Sequence, residues 1–219
     1  MGRLISNLKF SELDRKGKIK EVLEWILCIV IAIVLALTIR FFIGTPTVVN
    51  STSMYPTLIE GQRLILNKLP ATLNEMPKRG DIITFEAPTN KEARNLKANY
   101  DNEPENIWSK FTYYVLEIDK KSYIKRVIAL EGEHVKIENG KIYINGEELE
   151  ENYLQEGVYT QQHNTLLADF TVPEGYIFAI GDNREDSFDC RNFGCIPLEK
   201  IESKVWIRFW PFNLFGNIE

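Results

Sequence analysis

The stretch SYIKRVIALEGEHVKIENGKIYING, residues 122–146, determines the predicted fold class. Its β-branched and aromatic residues come in short runs that suit strands better than helices. Asn139-Gly140 separates two of these runs, and this dipeptide is the strongest short signal for a two-residue hairpin turn. Asn145-Gly146 indicates another turn. We therefore predict antiparallel strands joined by tight turns.

Short β-rich runs between turn residues continue on both sides of this stretch. The predicted strands are 62–67, 81–85, 113–118, 123–130, 134–138, 141–144, 176–180 and 205–209. Two polar stretches with few β-forming residues, 87–108 and 155–169, are predicted to be surface excursions. We expect a mainly β fold of antiparallel sheets, in which about 133–175 form a smaller β subdomain or insertion.

The N-terminal part has a different pattern from this β-rich remainder. Residues 25–39, WILCIVIAIVLALTI, carry no charge, and residues 41–44 extend the apolar run past Arg40. The run reaches about 20 residues, enough to cross about 30 Å of hydrocarbon, and Arg40 is near enough to its end to reach the headgroups. We predict one transmembrane helix at 25–44, between a tail, 1–24, and an outer β-rich domain, 45–219.

Basic residues ahead of the span predict its orientation. The tail contains Arg3, Lys9, Arg15, Lys16, Lys18 and Lys20, whereas the next basic residue after Arg40 is Arg63. By the positive-inside rule, the tail lies in the cytoplasm and the outer domain is extracytoplasmic. A cleaved signal peptide and a buried core helix are the alternatives, but no convincing small-x-small site follows the run. We expect a single-pass protein of the cell membrane, with lipid as a partner.

Charge and cysteine content exclude several classes of function. The net charge of -5 and the absence of zinc-finger or RNP spacing predict no nucleic-acid partner. Cys28, Cys190 and Cys195 lack the second pair that a structural zinc site needs, so we expect no metal and no cofactor.

Outside the cytoplasm, Cys190 and Cys195 could form a disulfide. The alternative, two reduced thiols, is favoured because a short separation in sequence does not guarantee disulfide geometry.

Ser53 and Lys125 are candidate reactive residues. Ser53 follows the span in NSTSMYPTLIEGQ, where Pro56 and Thr57 set a turn and Met54 is expected to face lipid or a binding groove. Lys125 interrupts a β-rich run, and burial there would lower its pKa and make it a usable base for a serine hydroxyl, without histidine. The simpler explanations are a capped turn for Ser53 and an exposed edge-strand charge for Lys125.

The segment GDNREDSFDCRNFG, residues 181–194, is too polar for a buried strand. A tight turn is expected where it leaves the strand at 176–180. Its charged residues Asp182, Arg184, Asp189 and Arg191 could form a network. The alternatives are a salt-bridged loop and a metal site, and the latter is disfavoured because the arginines offer partners for the acids and no calcium-loop spacing is present.

Four blocks of sequence, in this order behind one apolar span, resemble the bacterial type I signal peptidases, or leader peptidases. They are SMYPTL at 53–58, RGDIITF at 79–85, YIKRVIALEGE at 123–133 and GDNREDSFDCRNFG at 181–194. The resemblance implies a signal-peptidase-like catalytic core in which Ser53 is the acyl-forming nucleophile and Lys125 its general base. The eukaryotic ER form has histidine at the lysine position, so Lys125 points to the bacterial or organellar form.

The resemblance also implies supporting roles for four other residues. The Ser51 hydroxyl and the Ser53 backbone N–H would form an oxyanion hole. Ser187 would position the lysine amine, and Asp189 and Arg191 would form an ion pair behind it. Cys190 departs from the serine that the family commonly has there, which leaves the local packing open.

The implied substrate is a secretory preprotein, cut after a small-x-small sequence on the outer membrane face. Two other functions fit the sequence less well. A self-cleaving Ser-Lys repressor protease would need a DNA-binding domain in place of residues 1–44. A membrane-tethered binding module would leave Ser53, Lys125 and residues 181–194 unexplained together.

Overall fold

The computed structural model describes residues 2–101 and 104–218, with side chains described from residue 17 onward. The chain divides into two compact units, residues 1–40 and 41–219.

The first unit belongs to one long helix, α1, at Gly2–Phe42. The helix begins well before the predicted span at residue 25, and it ends two residues before the predicted limit at residue 44. Its part from Gly17 to Phe42 is apolar and long enough, by length and composition, to cross a membrane. The large apolar side chains along this part are exposed, as expected for a surface that faces lipid.

Twelve strands are formed by the described residues. They are β1 Gly44–Val48, β2 Arg63–Asn67, β3 Ile82–Glu86, β4 Ser122–Ala129, β5 His134–Glu138, β6 Lys141–Ile144, β7 Glu147–Glu148, β8 Asp169–Thr171, β9 Tyr176–Ile180, β10 Ile196–Pro197, β11 Ile201–Trp210 and β12 Gly216–Asn217. The helices after α1 are α2 Leu69–Thr72, α3 Ile107–Lys110 and α4 Cys190–Phe193, with a π-helix at Phe111–Val115 and 3-10 turns at Thr165–Leu167, Leu198–Lys200 and Phe212–Leu214.

The strands form two antiparallel sheets within the described residues. The larger sheet has the order β1-β2-β11-β3-β4-β9-β10, and β12 pairs with β11. The smaller sheet has the order β7-β6-β5-β8, and its strands lie between residues 134 and 171. The prediction of a mainly β fold built from antiparallel sheets is confirmed.

Both predicted asparagine-glycine turns are present in the smaller sheet. Asn139 and Gly140 have φ angles of 53° and 81°, and Asn145 and Gly146 have 53° and 87°. Two successive positive φ angles are typical of a type I′ turn, whose twist matches that of the flanking strands. The first turn sets the register of β5 against β6, with Glu138 opposite Lys141.

Strand β4 lies in the middle of the larger sheet, between β3 and β9. Residues from Lys125 to Ala129 are buried on both faces of the strand, so Lys125 and its neighbour Arg126 are both inaccessible although they point to opposite sides. The first half of β4 pairs with β3, whereas β9 pairs only with the second half, from Arg126 onward. Among the described strands, none pairs with residues 122–125 on the β9 side.

The predicted strand at 113–118 is wrong, because this segment continues a helix. Asn106 and Ser109 form a capping box: the Ser109 N–H donates to Asn106 Oδ1 at 2.8 Å, and the Asn106 N–H donates to Ser109 Oγ at 3.2 Å. The Tyr113 hydroxyl then donates to Glu86 Oε1 on β3 at 3.1 Å. Capping and this tertiary contact outweigh the β propensity of the tyrosines and valine.

The prediction of two surface excursions, 87–108 and 155–169, is correct only in part. Ala93 and Ala98 belong to the buried core, and the Ala98 N–H donates to the Cys195 carbonyl at 2.9 Å. In the second excursion, Thr160 and Leu167 are buried. Small or single apolar residues of polar segments thus complete the core, and average polarity does not reveal them.

Candidate active site

Ser53 lies in the turn between β1 and β2, and residues 181–186 hold this turn in place. The Asn183 N–H donates to the Ser53 carbonyl at 3.0 Å, and Asn183 Nδ2 donates to the Thr52 carbonyl at 3.2 Å. The Thr52 hydroxyl donates to Asp186 Oδ2 at 2.7 Å. These three hydrogen bonds fix the backbone on both sides of the Ser53 hydroxyl.

The Lys125 amine meets the Ser53 hydroxyl in the interior. Lys125 Nζ is 2.6 Å from Ser53 Oγ, and the two residues are only 4% and 8% exposed. Because Lys125 is buried, the alternative in which it is an exposed edge-strand charge is wrong. The inward orientation expected of a lysine base is present, and the catalytic roles of both residues stay predictions at this point.

Burial lowers the pKa of Lys125 from its ordinary value of 10.5 to about 8. The Asp189 carboxylate raises this pKa but only partly offsets the loss of hydration, and the Arg191 guanidinium lowers the pKa further. About a tenth of the amine is therefore neutral at pH 7, and a neutral amine can accept a proton from a hydroxyl.

Asp189 and Arg191 form the expected ion pair behind the lysine. The Arg191 side chain donates to both Asp189 oxygens at 2.9 Å, and both residues are fully buried. Burial alone would raise the pKa of Asp189. The charge and hydrogen bonds of Arg191 outweigh this effect of burial and lower the pKa of the carboxyl. A further hydrogen bond, donated by the Gly181 N–H at 3.0 Å, acts in the same direction.

Ser187 is buried close to the turn that carries Ser53. The Ser187 hydroxyl lies near enough to Asp189 to help lower the pKa of that carboxyl. Within the described residues, however, Ser187 Oγ is too far from any partner, or too poorly aligned with it, to count as hydrogen-bonded. Among the described residues, Ser187 therefore makes no hydrogen bond to the Lys125 amine. Its expected role in positioning the lysine stays a prediction.

Gly181 leaves room for both Ser187 and the Ser53 turn. A Cβ atom at Gly181 would lie 2.2 Å from Ser187 Oγ and 2.4 Å from the Ser53 carbonyl oxygen. We expect Gly181→Ala to displace the Ser53 turn and to lower the free energy of unfolding by about 1–3 kcal/mol. Gly17→Ala is the matched control, because a Cβ there meets nothing within 4 Å. Thermal unfolding of both variants tests this, and a Gly181→Ala protein with an unchanged melting temperature would contradict it.

Ser51 is placed next to the Ser53 backbone. The Ser53 N–H donates to Ser51 Oγ at 3.2 Å, so the two groups expected to bind an oxyanion contact each other in the unliganded site. The Ser51 side chain is exposed. The Ser51 hydroxyl thus lies within reach of the point where a substrate oxygen would meet this N–H.

The charged network differs from the one expected within residues 181–194. Asp182 pairs with Arg126 of β4, at 2.8 Å, and also accepts from the Thr57 hydroxyl at 2.5 Å. Arg184 pairs with Glu151 instead of with an acid of its own loop. The Arg126 to Asp182 pair ties the strand of Lys125 to the loop that holds Ser53. Sequence analysis missed this contact because the residues that form it are distant along the chain.

The expected contact of Met54 with lipid or a binding groove is wrong. Met54 is 1% exposed and packs in a core cluster with Leu58, Leu64 and Val205, among others. An apolar side chain next to a reactive serine is buried here because the turn folds back onto the sheet. Met54 therefore stabilises the position of Ser53 from beneath and presents no surface to a ligand.

Cys190 and Cys195 are both free and buried. Cys190 Sγ accepts a hydrogen bond from the Ala179 N–H at 3.3 Å. The cysteine at this position, where the family commonly has serine, is thus packed against β9. Burial raises the pKa of both thiols. Among the side chains that the structure describes, no group of three or more His, Cys, Asp or Glu residues is placed to hold a metal ion.

Comparison with known proteins gives consistent matches along most of the chain. A family model described as signal peptidase, peptidase S26, matches residues 22–210. Signal peptidase I T of Bacillus subtilis strain 168 is 35% identical over 209 residues, which cover 93% of each chain. A signal peptidase I of Leptolyngbya laminosa is 34% identical over 90% of this chain and 83% of the relative.

Solved structures also include similar proteins. A crystal structure of a signal peptidase I from Enterococcus faecalis V583 is 28% identical, with 59% of this chain and 96% of that chain covered and a TM-score of 0.40. The family match spans α1 from residue 22, the Ser53 turn, Lys125 and the loop at 181–194.

Proposed function

The chain belongs to the signal peptidase family, peptidase S26, and from that membership we propose that a Ser53-Lys125 dyad carries out its reaction. It is a serine peptidase, a hydrolase that removes signal peptides. Family membership disfavours both the self-cleaving repressor and the tethered binding module.

One observation carries the assignment of the dyad: a buried lysine amine lies 2.6 Å from a serine hydroxyl. Serine is a weak nucleophile unless a base removes its proton during attack. With a pKa of about 8, Lys125 is a base of the right strength near neutral pH. Its distance to Ser53 is within the range for direct proton transfer.

The proposed reaction has two halves. Ser53 Oγ attacks the scissile carbonyl carbon while its proton moves to Lys125 Nζ, and the protonated lysine then gives that proton to the departing amine of the mature protein. The signal peptide stays bound to Ser53 as an ester. In the second half, Lys125 takes a proton from water, the water attacks the ester, and the proton returns to Ser53 as the peptide acid leaves.

The oxyanion formed during attack is bound by Ser51 and the Ser53 backbone. The Ser53 N–H and Ser51 Oγ are 3.2 Å apart and bonded to each other without substrate. A substrate oxygen displaces the Ser51 hydroxyl from this N–H, and the hydroxyl rotates to donate to the same oxygen. One such donor typically contributes about 10²–10³-fold to the rate.

The edge of β4 next to the dyad offers a binding site for an extended peptide. Residues 122–125 have unpaired backbone groups on the β9 side, within the described part of the chain. A substrate strand that pairs there runs past Lys125, and main-chain hydrogen bonds of this kind do not depend on sequence. Selection of a small-x-small sequence then rests on shallow pockets for two side chains.

The apolar helix anchors the enzyme in a membrane, where preproteins also emerge. The six basic residues of the tail support a cytoplasmic N-terminus, by the positive-inside rule. In this orientation the β-rich unit and Ser53 are on the outer face of the membrane. The substrates are secretory preproteins with signal peptides, and lipid surrounds the anchor.

The test is cleavage of a labelled secretory preprotein by the detergent-solubilised full chain. We expect a single cut after the small-x-small sequence, identified by sequencing the N-terminus of the product. A preprotein with aspartate in place of the last small residue is the matched control and is expected to stay intact, since a shallow apolar pocket excludes a charge. Equal cleavage of both preproteins, or of neither, would overturn the proposal.

A further inference from the structure

An aromatic cluster adjoins the dyad, and its most exposed member is Phe188. Tyr123 and Phe193 are stacked, with ring centroids 6.3 Å apart and planes inclined by 29°. Phe188 packs against both, at 6.4 Å from Tyr123 and 5.4 Å from Phe193. Phe188 is 40% exposed, whereas Ser187 and Asp189 on either side of it are buried.

The cluster extends to the reacting groups. Tyr123 is two residues before Lys125 on β4, so both side chains are on the same face of the strand. Lys125 Nζ lies 5.6 Å from the centre of the Tyr123 ring. Ser187, next to Phe188, is near enough to the Ser53 turn that only glycine fits at position 181. Phe188 is therefore connected to the dyad along both the strand and the loop.

Phe188 also adjoins the unpaired edge of β4. Its partner Tyr123 belongs to residues 122–125, whose β9 side has no strand neighbour in the described chain. A peptide bound along this edge passes the exposed part of the Phe188 ring. The ring is held by one edge-on contact, with Tyr123, and one tilted contact, with Phe193, so it offers a fixed apolar surface at little cost in side-chain entropy.

We infer that Phe188 is a specificity-determining residue that binds a large apolar side chain of the substrate next to the scissile bond. This inference rests on the proposed peptidase function. The two small residues of the cleavage sequence do not need such a surface. The side chain that contacts Phe188 is thus the one between them, or one of the first two of the mature protein.

Four peptides test the inference with the full chain in detergent. The parent has alanine at both small positions and serine at the three candidate positions, and each derivative has leucine at one candidate position. For wild type we expect kcat/KM to be about tenfold higher for one leucine derivative than for the parent, with most of the change in KM. In Phe188→Ala this ratio falls to about one, and Phe188→Tyr keeps it.

Trp108→Ala is the matched control, because it removes another exposed aromatic side chain, on α3, and is expected to keep the wild-type ratio. Equal ratios in wild type and Phe188→Ala would overturn the inference. If Phe188→Ala does not fold, the wild-type measurements still test the inference. A wild-type enzyme with no preference for leucine at any of the three positions would also overturn the inference. Failure of wild type to cleave the parent peptide would instead count against the proposed function.

Discussion

Replacement of Ser53 by alanine is expected to lower kcat for preprotein cleavage by about 10⁴-fold or more, with binding of the preprotein largely kept. Alanine lacks the oxygen that forms the ester, whereas the turn that presents it is fixed by backbone contacts. The Ser53 carbonyl still accepts from the Asn183 N–H, and Met54 still fills the core beneath. The expected loss of activity is therefore caused by the missing nucleophile, because the fold of the site is kept.

Ser203→Ala is the control for removing a buried hydroxyl elsewhere in the same sheet. Ser203 is buried on β11 and shares a 2.6 Å hydrogen bond with Thr84. This variant is expected to lose some stability but to cleave preproteins at a rate close to wild type. Single-turnover kinetics and binding of the uncut preprotein, measured for both variants, separate chemistry from folding. Cleavage by Ser53→Ala within tenfold of wild type would rule out Ser53 as the nucleophile.

Local sequence patterns predicted the sheets well where one physical signal was dominant. The Asn139-Gly140 turn and the strands beside it follow from the need for positive φ angles and from β-branched residues. The failure at 113–118 has a comparable origin. Its residues favour strands, but the capping box at Asn106 starts a helix earlier in the chain, and that signal was missed.

The site itself could be predicted only in part from local patterns. Ser53 and Lys125 are 72 residues apart, and periodicity gives no information on whether such residues meet. Resemblance to a family brought them together, and the structure supplies the 2.6 Å distance. In the same way, the pairing of Asp182 with Arg126 depends on how β4 and β9 lie side by side.

Met54 shows the limit of reasoning from neighbours in sequence. A large apolar residue next to a reactive serine suggests a binding surface, yet the turn directs its side chain into the core. Phe188 is the opposite case, because this apolar side chain of the loop at 181–194 is 40% exposed. The direction of each side chain is set by tertiary contacts.

Replacement of Lys125 is expected to remove activity and to change its dependence on pH. In wild type, kcat/KM should rise about tenfold per pH unit below pH 8 and level off above it, because only the neutral amine accepts the serine proton. Lys125→Arg should be at least about 10²–10⁴-fold less active at every pH, since a guanidinium stays charged. Lys204→Arg, at a half-exposed lysine paired with Asp81, is the control and should keep the wild-type profile. An active Lys125→Arg enzyme would exclude the lysine as the base.

The same burial should make Lys125→Met more stable than wild type while leaving it inactive. A pKa of about 8 in place of the ordinary 10.5 corresponds to about 3 kcal/mol against folding with a protonated lysine. At a pH between these two pKa values, the unfolded chain binds more protons than the folded one. The stability of wild type therefore rises with pH in this range. Below pH 8 the full cost is present, and methionine avoids it.

The gain measured for Lys125→Met should be somewhat below 3 kcal/mol, because the hydrogen bond to Ser53 is lost as well. Urea unfolding of both proteins at pH 7 and pH 10.5 tests this, since the difference between them isolates Lys125 from other groups that titrate at high pH. The advantage of the methionine variant should be largest at pH 7 and nearly absent at pH 10.5. An equal difference at both pH values would show that folding does not shift the lysine pKa, and the basis for its action as a base near neutral pH would be lost.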